Sequence, residues 1–197
     1  MGSPNNLIYI KTVCPTITGS VLEVGARENS TGFRDYFISN DRPTVTEYIG
    51  TDIEPGTDVD VICDLTAPVN PLPKNHFDLV ICCSVMEHVP NPWIMAEKIS
   101  ELVKPDGKLY IAVPWVWKYH KYPDDYYRYS FKAIEFLFSK FQWSHYAYST
   151  ELPNSIEFVE KDSDFDRRRA FIETREDGSI KKYLPYSMIN MIGTKND

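Results

Sequence analysis

The chain has 197 residues, a net charge of -7 and 43% hydrophobic residues, which fits one domain around a buried core and disfavours a nucleic-acid backbone as partner, because phosphates call for clustered Lys and Arg. It holds no apolar run of about 18 residues and no basic-then-apolar leader, so neither a membrane span nor a signal peptide is expected. Its cysteines, Cys14, Cys63, Cys82 and Cys83, lack C-x-x-C spacing; they suit a reducing cytoplasm and offer no zinc site.

Residues 1–19 carry the apolar stretch Leu7-Ile-Tyr-Ile10 before Pro15 and Gly19, and read as a lead-in segment. Ser20-Val-Leu-Glu-Val24 is a short apolar run stopped by Gly25, the pattern of a buried parallel strand entering a tight turn. Phe33, Tyr36, Phe37 and Ile38 recur at helical spacing and predict a helix over 32–39. A second strand, 48–52, ends in Asp52; the turn Pro55-Gly56 leads to a third, 59–63, followed by Asp64. Pro68, Pro71 and Pro73 stiffen the connection to a fourth strand, 77–82, apolar enough to be buried on both faces.

An amphipathic helix is predicted over 92–103, ended by Pro105-Asp-Gly107, and a fifth strand over 108–113. The stretch 114–130 is dense in Trp and Tyr, and Ser130 caps a helix running to residue 140. A sixth strand is predicted over 141–149. Segments 169–176 and 179–184 flank Asp177-Gly178, a hairpin signal, and 188–194 form the final strand. Strands alternating with helices imply an α/β fold: a doubly wound, mostly parallel sheet with a C-terminal antiparallel hairpin. A single domain over 1–197 is expected.

Three acids end or follow successive strands: Glu23, Asp52 and Asp64. A carboxylate within a buried strand is costly without a polar or cationic partner. Ligands of open α/β sheets bind beyond the carboxyl ends of the strands, where an acid closing the second strand accepts from ribose hydroxyls. The alternative is that these acids are helix N-caps or loop residues. A dinucleotide fingerprint, G-x-G-x-x-G, is not met, because Gly25, Arg27 and Ser30 hold its three places. Three carboxylates also repel phosphates, whereas S-adenosylmethionine has no phosphate and carries a sulfonium and an ammonium.

These stretches together resemble the class I adenosylmethionine-dependent methyltransferases, in the small-molecule branch. Val21-Leu-Glu-Val-Gly25 is similar to the family's glycine motif, although the second and third glycines are missing. Tyr48-Ile-Gly-Thr-Asp52 is similar to its ribose-binding acid, and Cys63-Asp-Leu65 to its adenine-side acid. Phe77-Asp-Leu-Val-Ile-Cys-Cys-Ser-Val-Met-Glu-His-Val89 resembles its strand-four motif, and Leu102-Val-Lys-Pro-Asp-Gly-Lys108 its turn before strand five. The resemblance covers residues 20–130 as the cofactor core. It implies a Rossmann-like sheet of seven strands with the last antiparallel, S-adenosylmethionine as cofactor and S-adenosylhomocysteine as product. The cofactor contacts it implies are Glu23, Val24, Gly25, Ala26, Arg27, Asp52, Ile53, Asp64, Leu65, Cys83, Ser84, Val85 and His88.

The segment His120-Lys-Tyr-Pro-Asp-Asp-Tyr-Tyr-Arg128 resembles an H-x-Y-P-x-D-Y-W-R segment of one branch, with Tyr127 in place of the Trp. Methyl transfer to oxygen needs a positioned hydroxyl and a base for its proton. His120, Asp125 and His88 are the catalytic candidates, Asp125 either orienting His120 or acting itself, and Trp115, Tyr126, Tyr127 and Arg128 the acceptor contacts. Arg128 would clamp an acidic acceptor or pair with Asp125. The bland reading is a rigid aromatic loop with a structural Asp125–Arg128 pair. The expected reaction is methyl transfer to a small-molecule or glycan-like acceptor, at oxygen, in the cytoplasm. Two alternatives stay open, an NAD-type oxidoreductase or epimerase and a non-catalytic binding module. A calcium-loop spacing at Asp162, Asp164, Asp166 and Glu173 fails at Arg167, where the turn needs Gly, so no metal is expected.

Overall fold

In this computed structural model the described residues are 3–28, 31–39, 44–121, 123–161, 171–174, 176–183 and 186–196. A helix, α1 (Pro4–Val13), precedes β1 (Gly19–Val24), α2 (Phe33–Ile38), β2 (Val45–Asp52) and β3 (Val61–Ile62). β4 (Phe77–Cys83) runs through a 3-10 turn (Met86–His88) into α3 (Pro92–Leu102), β5 (Val103–Val116) and α4 (Phe131–Leu137). β6 (Phe141–Thr150), β7 (Ile156–Phe158), β8 (Phe171–Thr174), β9 (Ile180–Tyr183) and β10 (Ser187–Lys195) complete the order.

The main sheet has the order β3-β2-β1-β4-β5-β10-β6-β7. The first five strands are parallel, and β10, β6 and β7 join antiparallel. The sheet therefore has eight strands where seven were expected. The extra one is β7, three residues long and too short to show a hydrophobic period. The hairpin around Asp177-Gly178 forms, but β8 and β9 make a separate two-stranded sheet. Tyr122, Ser30, residues 162–170 (with the calcium-like acids and the basic run 167–169), Arg175 and Leu184 lie outside the described residues.

Strand alternation sends side chains to two cores. Leu22, Val24, Val80, Cys82, Leu109 and Ile111 meet Met95, Ile99 and Ile134 of α3 and α4. Val21, Leu79, Ile81, Tyr110 and Ala112 meet Tyr9, Ile10, Phe33 and Phe37 of α1 and α2. Helices on both faces make the sheet doubly wound.

Helix α1 occupies the segment read as a lead-in. Ser3 is its N-cap: the Ser3 hydroxyl accepts from the Asn5 amide at 3.3 Å, the Asn6 side-chain oxygen accepts from the Ser3 amide at 2.5 Å, and Pro4 follows. Asn6 donates to the Tyr110 hydroxyl at 3.0 Å and to Asn190 Oδ1 at 3.1 Å; Asn5 donates to the carbonyls of Thr150 and Leu152. The lead-in is a helix fastened across the antiparallel half of the sheet. A second difference concerns Pro105-Asp-Gly107. Helix α3 already ends at Leu102, and the Pro-Asp-Gly turn lies inside the extended segment β5, with Asp106 at φ 60 and a register shift against β4.

Candidate active site

The strand order reverses between β1 and β4, and in open α/β sheets the crevice beyond that reversal is where ligands bind. Two turns meet there. Gly25 follows β1 at φ 83, a left-handed conformation that side chains rarely adopt. Its amide donates to the Thr51 carbonyl at 2.8 Å, and the Ala26 amide donates to the same oxygen at 3.1 Å. Ser84 follows β4 at φ 56, and its amide donates to the Ala112 carbonyl at 2.8 Å. The turns touch: a Cβ on Gly25 would come closer than 3.0 Å to Val85 Cγ2.

The glycine loop is fastened on its other side. Arg27 pairs with Glu54, and Gly56 lies against the Arg27 carbonyl with no space for a Cβ. Arg27 thus ties the loop to the turn after β2. Asp52 closes β2, and its Oδ1 accepts from the Glu54 amide at 3.0 Å. Ile53 beside it is 55% exposed, a large apolar side chain left open at the rim. Asp64 Oδ1 accepts from the Thr66 amide at 2.8 Å and the Thr66 hydroxyl at 2.7 Å, while Leu65 is buried. Asp52 and Asp64 therefore do cap their own turns, at neighbouring strand ends joined by the Cys63 amide donating to the Asp52 carbonyl at 2.8 Å.

Glu23 differs from these two. Its side chain is buried on the α2 face, where the Tyr48 hydroxyl donates to it. Burial pushes its carboxyl up to about 7, against the Tyr48 hydrogen bond and the nearby Arg34 guanidinium. Arg34 lies 5.0 Å above the Tyr48 ring and pairs with Asp58 and Asp60. The polar partner that a buried strand acid requires is thus supplied by the protein itself. Val24 and Cys83 are buried, and the Cys83 thiol is driven far up by burial.

On the other side of the crevice, residues 123–129 fold over the turn after β4. The Tyr126 amide donates to the Glu87 carbonyl at 2.8 Å, the Tyr127 hydroxyl to the Pro90 carbonyl at 3.0 Å, and the buried Tyr129 hydroxyl to the Met86 carbonyl at 2.9 Å. Trp115 and Tyr126 stay exposed. The organiser of the loop is Arg128. Its Nε donates to the Trp117 carbonyl, one terminal nitrogen to Asp125 Oδ1 and the Tyr127 carbonyl, the other to Asp125 Oδ2 and the Lys118 carbonyl. A guanidinium has five N–H groups, and all five are used. Of the two roles expected for Arg128, pairing with Asp125 is the one it takes here, and its five donors are spent within the loop.

Asp125 is fixed in turn. Its side chain is 1% exposed, and the bidentate Arg128 holds its carboxyl well below the usual carboxylate range. It accepts from the His120 amide at 2.8 Å and lies 3.2 Å from His120 Nδ1. A carboxylate so fixed is placed to orient His120, the first of the two roles expected for it. His88 Nδ1 lies 2.5 Å from the Asp124 carbonyl. A carbonyl only accepts, so Nδ1 carries the proton and Nε2 keeps the lone pair. The same reasoning places the proton of His120 on Nδ1, toward the Lys118 carbonyl at 3.3 Å. The two rings stand edge to face with centroids 4.9 Å apart.

The structure thus gathers Gly25, Ala26, Ser84 and Val85 at the switch point, Asp52, Ile53 and Asp64 along the neighbouring strand ends, and His88 with His120 across from them. Sequence reading missed Tyr48, Arg34 and the side chain of Glu87, which is 1% exposed with its Oε2 unpaired. Tyr48 had a signal, since in parallel strands its position falls beside β1. Glu87 had none: an acid between Met86 and His88 reads as a loop residue.

A family model described as a methyltransferase domain matches residues 16–154. No curated protein matches the chain. Among solved structures, the YcgJ protein of Bacillus subtilis is 16% identical, with 98% of this chain and 99% of that one covered and a TM-score of 0.65. A 1,6-didemethyltoxoflavin N1-methyltransferase of Burkholderia thailandensis, solved with S-adenosylhomocysteine, is 13% identical, with 98% and 77% covered and a TM-score of 0.60. The N-methyltransferase NodS of Bradyrhizobium japonicum, also solved with S-adenosylhomocysteine, is 8% identical, with 98% and 86% covered and a TM-score of 0.56. At these identities the likeness is one of fold.

Proposed function

The chain belongs to the methyltransferase-domain family, on the class I adenosylmethionine-dependent fold, and on that premise we propose that it transfers the methyl group of S-adenosylmethionine to a hydroxyl of a small-molecule or glycan-like acceptor. The observation that carries the cofactor half is the contact between the turns after β1 and β4. Gly25 carries no side chain at the switch point, so the methionyl part of the cofactor can lie close against the Gly25–Ala26 turn, with Ser84 and Val85 opposite. Asp52 uses one oxygen on its own turn and offers the other to the ribose hydroxyls, and exposed Ile53 covers one adenine face. Asp64 and Leu65 bound the adenine edge, and Val24 and Cys83 form the floor.

The acceptor enters between this loop and the aromatic wall of Trp115 and Tyr126. His120, held by Asp125 through its backbone amide and with Nδ1 on the Lys118 carbonyl, presents Nε2 to it, as does His88. In the transfer the acceptor oxygen forms the new O–CH3 bond as the S–CH3 bond breaks, the hydroxyl proton passes to Nε2 of His120, and the sulfonium becomes the thioether of S-adenosylhomocysteine. Four free, buried cysteines support a reducing, cytoplasmic setting. No helix among the described residues is long and apolar enough to cross a membrane.

Calorimetry with S-adenosylhomocysteine on the wild type and on Asp52→Ala tests this reading. Losing hydrogen bonds to a charged group costs about 1.5–3 kcal/mol, so the affinity is expected to fall about 10- to 150-fold. Binding that survives the substitution unchanged rejects the ribose role, and absence of binding to the wild type rejects the cofactor.

A further inference from the structure

We propose that Glu87, His88 and His120 form a binding site for one divalent transition-metal ion, and that this ion holds the acceptor oxygen. The inference rests on the methyltransferase reading and extends it to the acceptor side.

Three observations carry it. First, the donor atoms of the three side chains lie within 4.8 Å of one another, close enough for small side-chain rotations to bring them onto one ion. His88 Nε2 is 3.8 Å from Glu87 Oε1. Second, Glu87 has a carboxylate oxygen, Oε2, that is buried without a hydrogen-bond partner, on a side chain 1% exposed. An orphaned carboxylate oxygen in a protein interior costs a good deal of free energy, and a cation at this place would satisfy it. Third, the surroundings fix both imidazoles in the ligating state. The Asp124 carbonyl holds the proton of His88 on Nδ1, and the Lys118 carbonyl, 3.3 Å away, holds that of His120 on Nδ1. Each ring thus presents the Nε2 lone pair, and Asp125 Oδ2, 3.2 Å from His120 Nδ1, puts a negative charge behind that ring which favours a cation at its front.

Two imidazoles and one carboxylate favour a first-row transition ion over Mg2+ or Ca2+, which prefer all-oxygen shells. Such a three-ligand set leaves coordination positions open. An acceptor hydroxyl bound at one would lose its proton to solvent, since Nε2 of each imidazole is then a ligand and no longer the base, and the resulting alkoxide would attack the sulfonium methyl. The S–CH3 electron pair returns to sulfur, so charge and atoms balance. A metal also gives Arg128 and Asp125 a purpose, since they position one of its ligands.

The test uses tag-free, full-length protein dialysed against chelator and titrated with Co2+, followed by its d–d absorption. The wild type is expected to bind one equivalent. Glu87→Gln and His120→Ala are expected to lose the band, and Asp125→Asn to bind about 10- to 100-fold more weakly. S-adenosylhomocysteine calorimetry on each variant shows that it is folded; if Glu87→Gln does not fold, His120→Ala decides. No Co2+ band in the wild type, or equal binding by wild type and the folded ligand variants, overturns the site. A methyl-transfer rate unchanged by removing the metal overturns its role at the acceptor. In each of these cases retained S-adenosylhomocysteine binding leaves the cofactor reading intact.

Discussion

Replacing Gly25 by Ala should impose two separable penalties. The residue sits at φ 83, and placing an L side chain in left-handed backbone costs about 1–2 kcal/mol. The new Cβ also meets Val85 Cγ2 closer than 3.0 Å. Valine is stiff at χ1, so relief needs backbone movement, and overpacking of this kind costs about 1–3 kcal/mol. Urea denaturation of Gly25→Ala should therefore show a loss of about 2–5 kcal/mol, the sum of those two ranges. Val85→Ala removes the steric part and leaves the backbone part. A double-mutant cycle should show coupling of about 1–3 kcal/mol, the double variant being more stable than the two single losses predict. Coupling below about 0.5 kcal/mol, the usual limit of additivity, would refute the idea that the two turns meet through these atoms.

Two further outcomes follow from buried charge. The Glu23 carboxyl titrates at about 7 in the folded protein against an ordinary 4.5, so the folded state holds the extra proton between those values. Stability should fall as pH rises through this window, by about 3 kcal/mol in total at 1.36 kcal/mol per unit, and Glu23→Gln should remove that part of the slope. Denaturation midpoints with the same pH profile for both proteins from about pH 4.5 to 8 would contradict the assignment. Arg128→Lys keeps the charge but replaces five forked donors with three at a single nitrogen. Losing one or two charged hydrogen bonds should cost about 2–4 kcal/mol, and hydrogen exchange should quicken over 117–129 ahead of the sheet. Uniform protection across both regions would show that the guanidinium does not hold the loop.

How much was legible in the sequence depended on whether neighbours along the chain carried the signal. The strands β1, β4 and β10 announced themselves through apolar runs, and Gly25 through the break it makes. The hairpin turn at Asp177-Gly178 was readable because turn chemistry is local. Helix α1 was missed although Ser3-Pro4 is a start signal; its first turn carries Asn5 and Asn6, which look like surface residues until Thr150 and Asn190 are brought beside them. The Asp125–Arg128 pair was visible from spacing, but its meaning was not. Whether Arg128 faces a ligand or its own loop depends on carbonyls at Trp117, Lys118 and Tyr127, and backbone groups leave no mark in a sequence. The cluster of Glu87, His88 and His120 was hidden for a related reason. Its third member comes from a different crossing of the sheet, so no ligand spacing exists to find.

The anchoring of α1 has a consequence for how this protein is made. Its side chains bond to partners 145 and 184 residues further along. Helix α1 is therefore synthesised well before the strands that supply its binding site. Until β10 has been synthesised and inserted between β5 and β6, Asn6 lacks its Asn190 partner and Tyr9 and Ile10 lack part of their cover. Contacts of such sequence separation slow folding and leave apolar surface open to wrong partners. The opening residues are thus a latch that closes over an otherwise finished sheet.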